Sequence, residues 1–165
     1  MTQAPAAAPD LATAAPPVDF LTVSLGQDVF ALAVEAVHEV LDPPPVTTVP
    51  NAPAFAPGLV NVRGNIMPLI DLRRRFAMPA VADTESSRVI VSRVETGGEG
   101  FFVAIKADAV HEVVSLDRAA VEPVPENGTR WPLRFLRGVV RHGGGFVVLL
   151  DLETVLQPDP ASLPN

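Results

Sequence analysis

Gly58-Leu59-Val60-Asn61-Val62-Arg63-Gly64-Asn65-Ile66-Met67-Pro68-Leu69-Ile70-Asp71-Leu72-Arg73 is the stretch that decides the fold. Two aliphatic runs of β type flank a Gly64-Asn65 pair. Such a pair marks a tight hairpin, because two-residue hairpin turns need positive φ. Asp71 closes the second run and stands where it can N-cap a brief helical turn over Leu72 to Phe76.

The same pattern returns eighty residues later. Gly58, Val60, Gly64, Leu69, Asp71 and Leu72 match Gly138, Val140, Gly144, Leu149, Asp151 and Leu152. A second block, Ala36-Val37-His38-Glu39-Val40, recurs at Ala109 to Val113, offset by 73. Across Phe30–Val40 and Val103–Val113, six of eleven positions are identical. The offset grows by seven between the blocks, as one loop insertion would make it. Two copies of one short β unit predict two small lobes, each with few residues for a core, so that packing between them matters.

The remaining segments agree. Val23-Ser24-Leu25 and Val29 to Leu32 flank Gly26-Gln27-Asp28, and Val37 to Leu41 is a strand stopped by Pro43-Pro44-Pro45. Arg88–Val94 and Phe101–Ile105 flank a Gly-rich tip, as do Gly138–Arg141 and Phe146–Leu150. Short strands separated by turn signals predict an all-β protein of barrel or sandwich type. The other helical turn is Leu152 to Leu156. Eighteen prolines among 165 residues, about twice the usual share, argue against an all-helical chain. Residues 1–17, rich in Ala and Pro, read as a disordered tail, and 157–165 as a flexible one.

Composition narrows the function. A net charge of −7 opposes general binding to phosphate backbones, so no nucleic-acid partner is expected. The absence of Cys excludes disulfides and thiolate chemistry. No apolar run approaches a membrane span and the leader lacks a basic n-region, so no direct membrane insertion and a cytoplasmic location are expected.

No constellation of an enzyme emerges. His38 and His111 each precede a Glu, but neighbours on a strand point to opposite faces and do not converge on a metal. No metal and no cofactor are expected. Asp71 and Asp151 are repeat equivalents better placed to cap helices than to hydrolyse anything. Arg73-Arg74-Arg75 reads as a solvated helix face or a dock for an acidic partner. Arg63 stands at the hairpin mouth, and its repeat partner is Gly143.

Taken together, these segments resemble the CheW family, the adaptors of bacterial chemosensory arrays. The resemblance covers roughly Val18 to Leu156. It rests on Phe20-Leu21-Thr22-Val23-Ser24-Leu25-Gly26, Ala36 to Val40, Pro50-Asn51-Ala52-Pro53-Ala54-Phe55 and above all the Gly58–Arg73 block. It implies an all-β fold of two SH3-like barrel lobes with short helical turns. The N-terminal lobe would run over about residues 27–83, and the C-terminal lobe over about 84–156 plus the first strand, 18–26. It also implies no catalysis. The partners would be the cytoplasmic hairpin of methyl-accepting chemoreceptors and the regulatory domain of a CheA-type histidine kinase. Motif matching carries Val37, Glu39, Gly58, Arg63 and Ile66 over as the receptor-contact surface and assigns no residues to the kinase contact. Gly58 would matter by admitting a close helix, and Glu39 with Arg63 would form an orienting ion pair. Two other readings are an adaptor of a non-flagellar chemosensory-like pathway and a small-ligand or metal-binding β module built on His38, His111 and the lobe interface.

Overall fold

A computed structural model describes residues 16–127 and 130–157, so the expectations for most of both tails lie outside the described residues. Among these residues eleven strands form two sheets. One has the order β10-β11-β2-β1-β9, from Leu136–His142, Gly145–Leu150, Asp28–Ala33, Val18–Leu25 and Ala109–Leu116. The other has the order β3-β7-β8-β6-β5-β4, from Val37–Leu41, Arg88–Thr96, Glu99–Ala107, Asn65–Asp71, Gly58–Val62 and Thr47–Thr48. Two short helices follow β6 and β11: α1 at Leu72–Arg75 and α2 at Leu152–Leu156. This is the two-lobe all-β fold expected from the repeat. Among the described residues no helix is long and apolar enough to cross a membrane.

The lobe boundaries differ from those expected. Strand β2 lies beside β1 in the second lobe's sheet, and β7 and β8 lie in the first lobe's sheet, not the second's. The reason is that each repeat lends its leading hairpin to the other. After β2 a 3₁₀ turn, Val34–Ala36, carries the chain across to β3. After β8 the chain crosses at Asp108 into β9. Hairpin β1–β2 therefore seats against β9 and, in parallel, β11, while β7–β8 seats against β3 and, in parallel, β6. A sequence repeat and a spatial lobe are different units here.

Apolar alternation sorts the side chains into three clusters. Val60, Met67, Leu69, Val89, Val91 and Ala104 fill the first lobe. Ala31, Val114, Leu116, Val140, Val147 and Leu149 fill the second. The largest cluster lies between them and draws on both sheets, with Phe30, Ile70, Leu72, Ile105, Phe135 and Leu150 among its members. Phe30 stacks on Phe76 with ring centroids 5.4 Å apart.

The expected caps form: Asp71 accepts from the Arg74 backbone N–H and Asp151 from that of Thr154. The backbone N–H of each Asp donates to a phenylalanine carbonyl, Phe55 and Phe135, both at 2.8 Å. The arginine run is neither a solvated face nor a free dock. Arg73 forks onto Asp108, with Nε 2.8 Å from Oδ1 and Nη2 2.6 Å from Oδ2. Arg75 is buried, donates to the carbonyls of Val155 and Gln157, and lies over the rings of Phe55 and Phe135. Only Arg74 projects to solvent, beside Asp71. A helical turn set between two lobes has no outward face for three side chains.

The repeated glycines are close-approach sites. A Cβ on Gly58 would overlap the Thr47 carbonyl and sit 2.8 Å from Val46 Cγ1, and one on Gly138 would sit 2.8 Å from the Glu122 carbonyl oxygen. Gly58→Ala and Gly138→Ala should each destabilise by about 1–3 kcal/mol, read from urea midpoints. Arg73 and the Gly26 N–H hold the Asp108 carboxyl below the usual carboxylate range, with the guanidinium hydrogen bond as the larger cause. The resulting stability is complete above the ordinary Asp range near pH 4 and drains as pH falls through the lowered value. Asp108→Asn should cost about 1–3 kcal/mol at neutral pH and flatten this acid limb in pH-resolved unfolding.

Candidate functional site: the mouth of the first lobe

Strand β3 is an edge strand, paired only through β7. Its register slips between Val37 and Glu39, so the chain bulges at His38. Burial still alternates along β3, with His38 exposed and Glu39 half-buried. Both border one shallow depression with Val62, Arg63, Met67 and Phe102. His38 meets Phe102 edge-on, with centroids 5.1 Å apart.

Arg63 reaches over this depression to Glu39. Its Nε lies 3.2 Å from both carboxylate oxygens and its Nη2 3.1 Å from Oε2. Hydrogen bonding to Glu39, then its charge, raises the Arg63 pKa further. The pair links the β5–β6 turn to the edge strand across the rim of the first lobe's core. The expected contact is therefore present, on a side chain that remains 78% exposed.

The turn itself is placed one residue earlier than the Gly64-Asn65 reading. Arg63 and Gly64 take the two positive-φ positions, at 53° and 88°, and Asn65 opens β6. The repeat shows the alternative: Gly143 and Gly144 hold the equivalent positions at 60° and 83°. An arginine with positive φ is strained, whereas glycine is at ease there. Arg63 occupies a glycine's place and serves no core, so its value lies in what the guanidinium does at the surface.

The five expected residues do not form one cluster. Glu39 and Arg63 touch. Val37 is partly buried against the core between the lobes. Ile66 is 62% exposed and projects from the hairpin opposite Asn61. Gly58 is buried at the far end of β5, about 16 Å along the strand from Arg63, and its bare backbone admits Thr47 of its own chain. The sequence reading passed over Leu59 and Phe101, both exposed. By the β6–β8 register, extended three residues back, Phe101 comes level with Ile66. The adjacent Phe101-Phe102 pair was the available signal, since one of two neighbours on a strand must face outward.

A family model described as the CheW-like domain matches residues 19–159. The chain belongs to the CheW-like domain family. It is a chemotaxis adaptor. Its relatives include the chemotaxis protein CheW of Klebsiella aerogenes, 32% identical over 145 residues that span 88% of this chain and 85% of that one. Protein FrzA of Myxococcus xanthus is 30% identical across 91% of this chain and 94% of its own length. The crystal structure of the scaffolding protein TtCheW from Thermoanaerobacter tengcongensis superposes with a TM-score of 0.76 at 29% identity, covering 87% of this chain and 94% of that one.

In a CheW-like scaffold the Glu39–Arg63 pair is a surface device with little bearing on stability. Arg63→Gly removes the pair and relieves the strained turn. Its thermal midpoint should be unchanged or raised by about 2–4 °C in calorimetry.

Proposed function

We propose that this chain couples the cytoplasmic hairpin of methyl-accepting chemoreceptors to the regulatory domain of a CheA-type histidine kinase, and that it does so by docking alone, without catalysis. The observation that carries the reading is Arg63, held in a strained turn, forked onto Glu39 and free of any core role. A helical hairpin docks on apolar area oriented by a few polar groups. Ile66, Leu59 and Phe101 supply the apolar area, and the Glu39–Arg63 pair supplies the polar mark. Val37 fixes the start of the edge strand through its packing between the lobes. Gly58 contributes indirectly by letting β4 close against β5, so that the hairpin carrying Arg63 and Ile66 keeps its angle.

Full burial of Ile66 by a partner contributes about 1.5–3 kcal/mol, enough to dominate a modest signalling contact. Arg63→Glu should abolish co-sedimentation with receptor-bearing membranes while leaving the thermal midpoint within a few degrees. Combining it with Glu39→Arg should restore co-sedimentation. Retained binding in Arg63→Glu would place the receptor elsewhere, and a large fall in midpoint would make Arg63 structural.

A further inference from the structure

The edge strands β3 and β9 are repeat counterparts, yet they are held with unequal strength. Among the described residues each pairs through one neighbour, β3 through β7 and β9 through β1. Each bulges at the same point of the repeat, after Val37 and after Val110. On β9 the bulge is fastened. Thr22 Oγ1, buried in β1, donates to the Glu112 carbonyl at 2.8 Å and accepts from the Glu112 N–H at 3.1 Å. Val114 and Leu116 of the same strand are buried.

On β3 none of the five residues is buried. Glu39 is the counterpart of Glu112, but the residue across from it, in the place of Thr22, is Val91, which has no hydroxyl to offer. A hydroxyl does stand next along β7, that of Ser92 across from Val37. By the strand registers Ser92 takes the place that Val23 holds in the second lobe. It is fully buried, and its Oγ lacks a hydrogen-bond partner among the described residues. Ile90 and Val94, two residues to either side, belong to the central cluster, and Ser92 shares their face. A hydroxyl in such a place has given up water and gained no bond in return.

We propose that β3 is a hinged edge strand, which detaches from β7 while the rest of the fold stays intact, and that the unpaired hydroxyl of Ser92 lowers the cost of this opening. Detachment gives up the partial packing of Val37 and Leu41, the edge-on contact of His38 with Phe102, and the Glu39–Arg63 pair. All of these lie at half-buried or exposed positions. In exchange, Ser92 Oγ regains water through the flank that Val37 covered. The chain on either side suits a hinge. A 3₁₀ turn, Val34–Ala36, precedes the strand, and Pro43-Pro44-Pro45 follows it with no N–H to tie down. Elements with few buried apolar contacts are the ones that open below the global free energy. Arg63 meets Glu39 only while β3 is attached, so whatever docks on that pair also fastens the strand. That consequence rests on the mouth of the first lobe being the docking face. The opening itself does not, and its test needs neither receptor nor kinase.

The test is native-state hydrogen exchange of the isotope-labelled full chain, followed by NMR at rising urea. The β3 amides that bond to β7 should exchange at least about a hundredfold faster than their counterparts on β9, through an opening that urea hardly promotes. Ser92→Val, which supplies the residue that the second lobe carries there, should slow the β3 amides at least about tenfold, a gain of about 1.4 kcal/mol. Ser92→Ala removes the unpaired hydroxyl without added volume and should act in the same direction. Thr22→Val should unfasten β9, speeding its amides at least about tenfold and leaving β3 as it was. Protection of β3 equal to that of β9, a urea dependence on β3 as steep as that of global unfolding, or unchanged β3 exchange in both Ser92 variants would each overturn the proposal.

Discussion

Exchange of hairpins between the two repeats is the constraint on which the structure depends. Neither sheet can form from one repeat alone, because β1–β2 completes the sheet of the second lobe and β7–β8 that of the first. The crossing segments at Val34–Ala36 and Asp108 pass between the lobes. The apolar faces they leave behind are buried together in the central cluster, which is larger than either lobe's own. Small sheets of five and six strands cannot bury enough area singly, and a shared core resolves that shortage.

Arg75 shows how far the sharing goes. Its repeat equivalent is Val155, yet it reaches across to the carbonyls of Val155 and Gln157 and lies between Phe55 and Phe135, themselves an equivalent pair. A buried guanidinium is tolerated only when its donors are satisfied, and here the end of α2 satisfies them. The interaction ties the last turn of one repeat to the last turn of the other. Docking faces on the two lobes consequently keep a fixed relation to each other, as a scaffold requires.

Duplication also explains the division of labour. Positions that shape the backbone are alike in both copies: Gly58 and Gly138 for close approach, Asp71 and Asp151 for capping. Several other positions have diverged. Arg63 against Gly143 gives the first lobe a charged mark that the second lacks, and Arg73, forked onto Asp108, has the exposed Glu153 as its counterpart.

The sequence by itself determined the strands, hairpins, caps and repeat, because each rests on local rules: alternation of apolar residues, glycine at positive φ, and an acidic oxygen within reach of a free N–H. The Glu39–Arg63 pair was legible only through the family resemblance, because its two residues sit in separate blocks 24 residues apart. Only the tertiary structure decided which hairpin joins which sheet, since no local signal distinguishes a chain that folds back from one that crosses over. The fate of the arginine run was hidden for the same reason, as Asp108 lies 35 residues from Arg73 and the acceptors of Arg75 lie 80 and 82 residues away. The one-residue bulge at His38 escaped notice because it depends on the register of β7, a strand fifty residues downstream. Gly58 drew its meaning from Thr47 across a strand pair rather than from any visiting helix. Contacts between distant segments are set by burial of a common core, and that is a property of the whole chain rather than of any stretch within it.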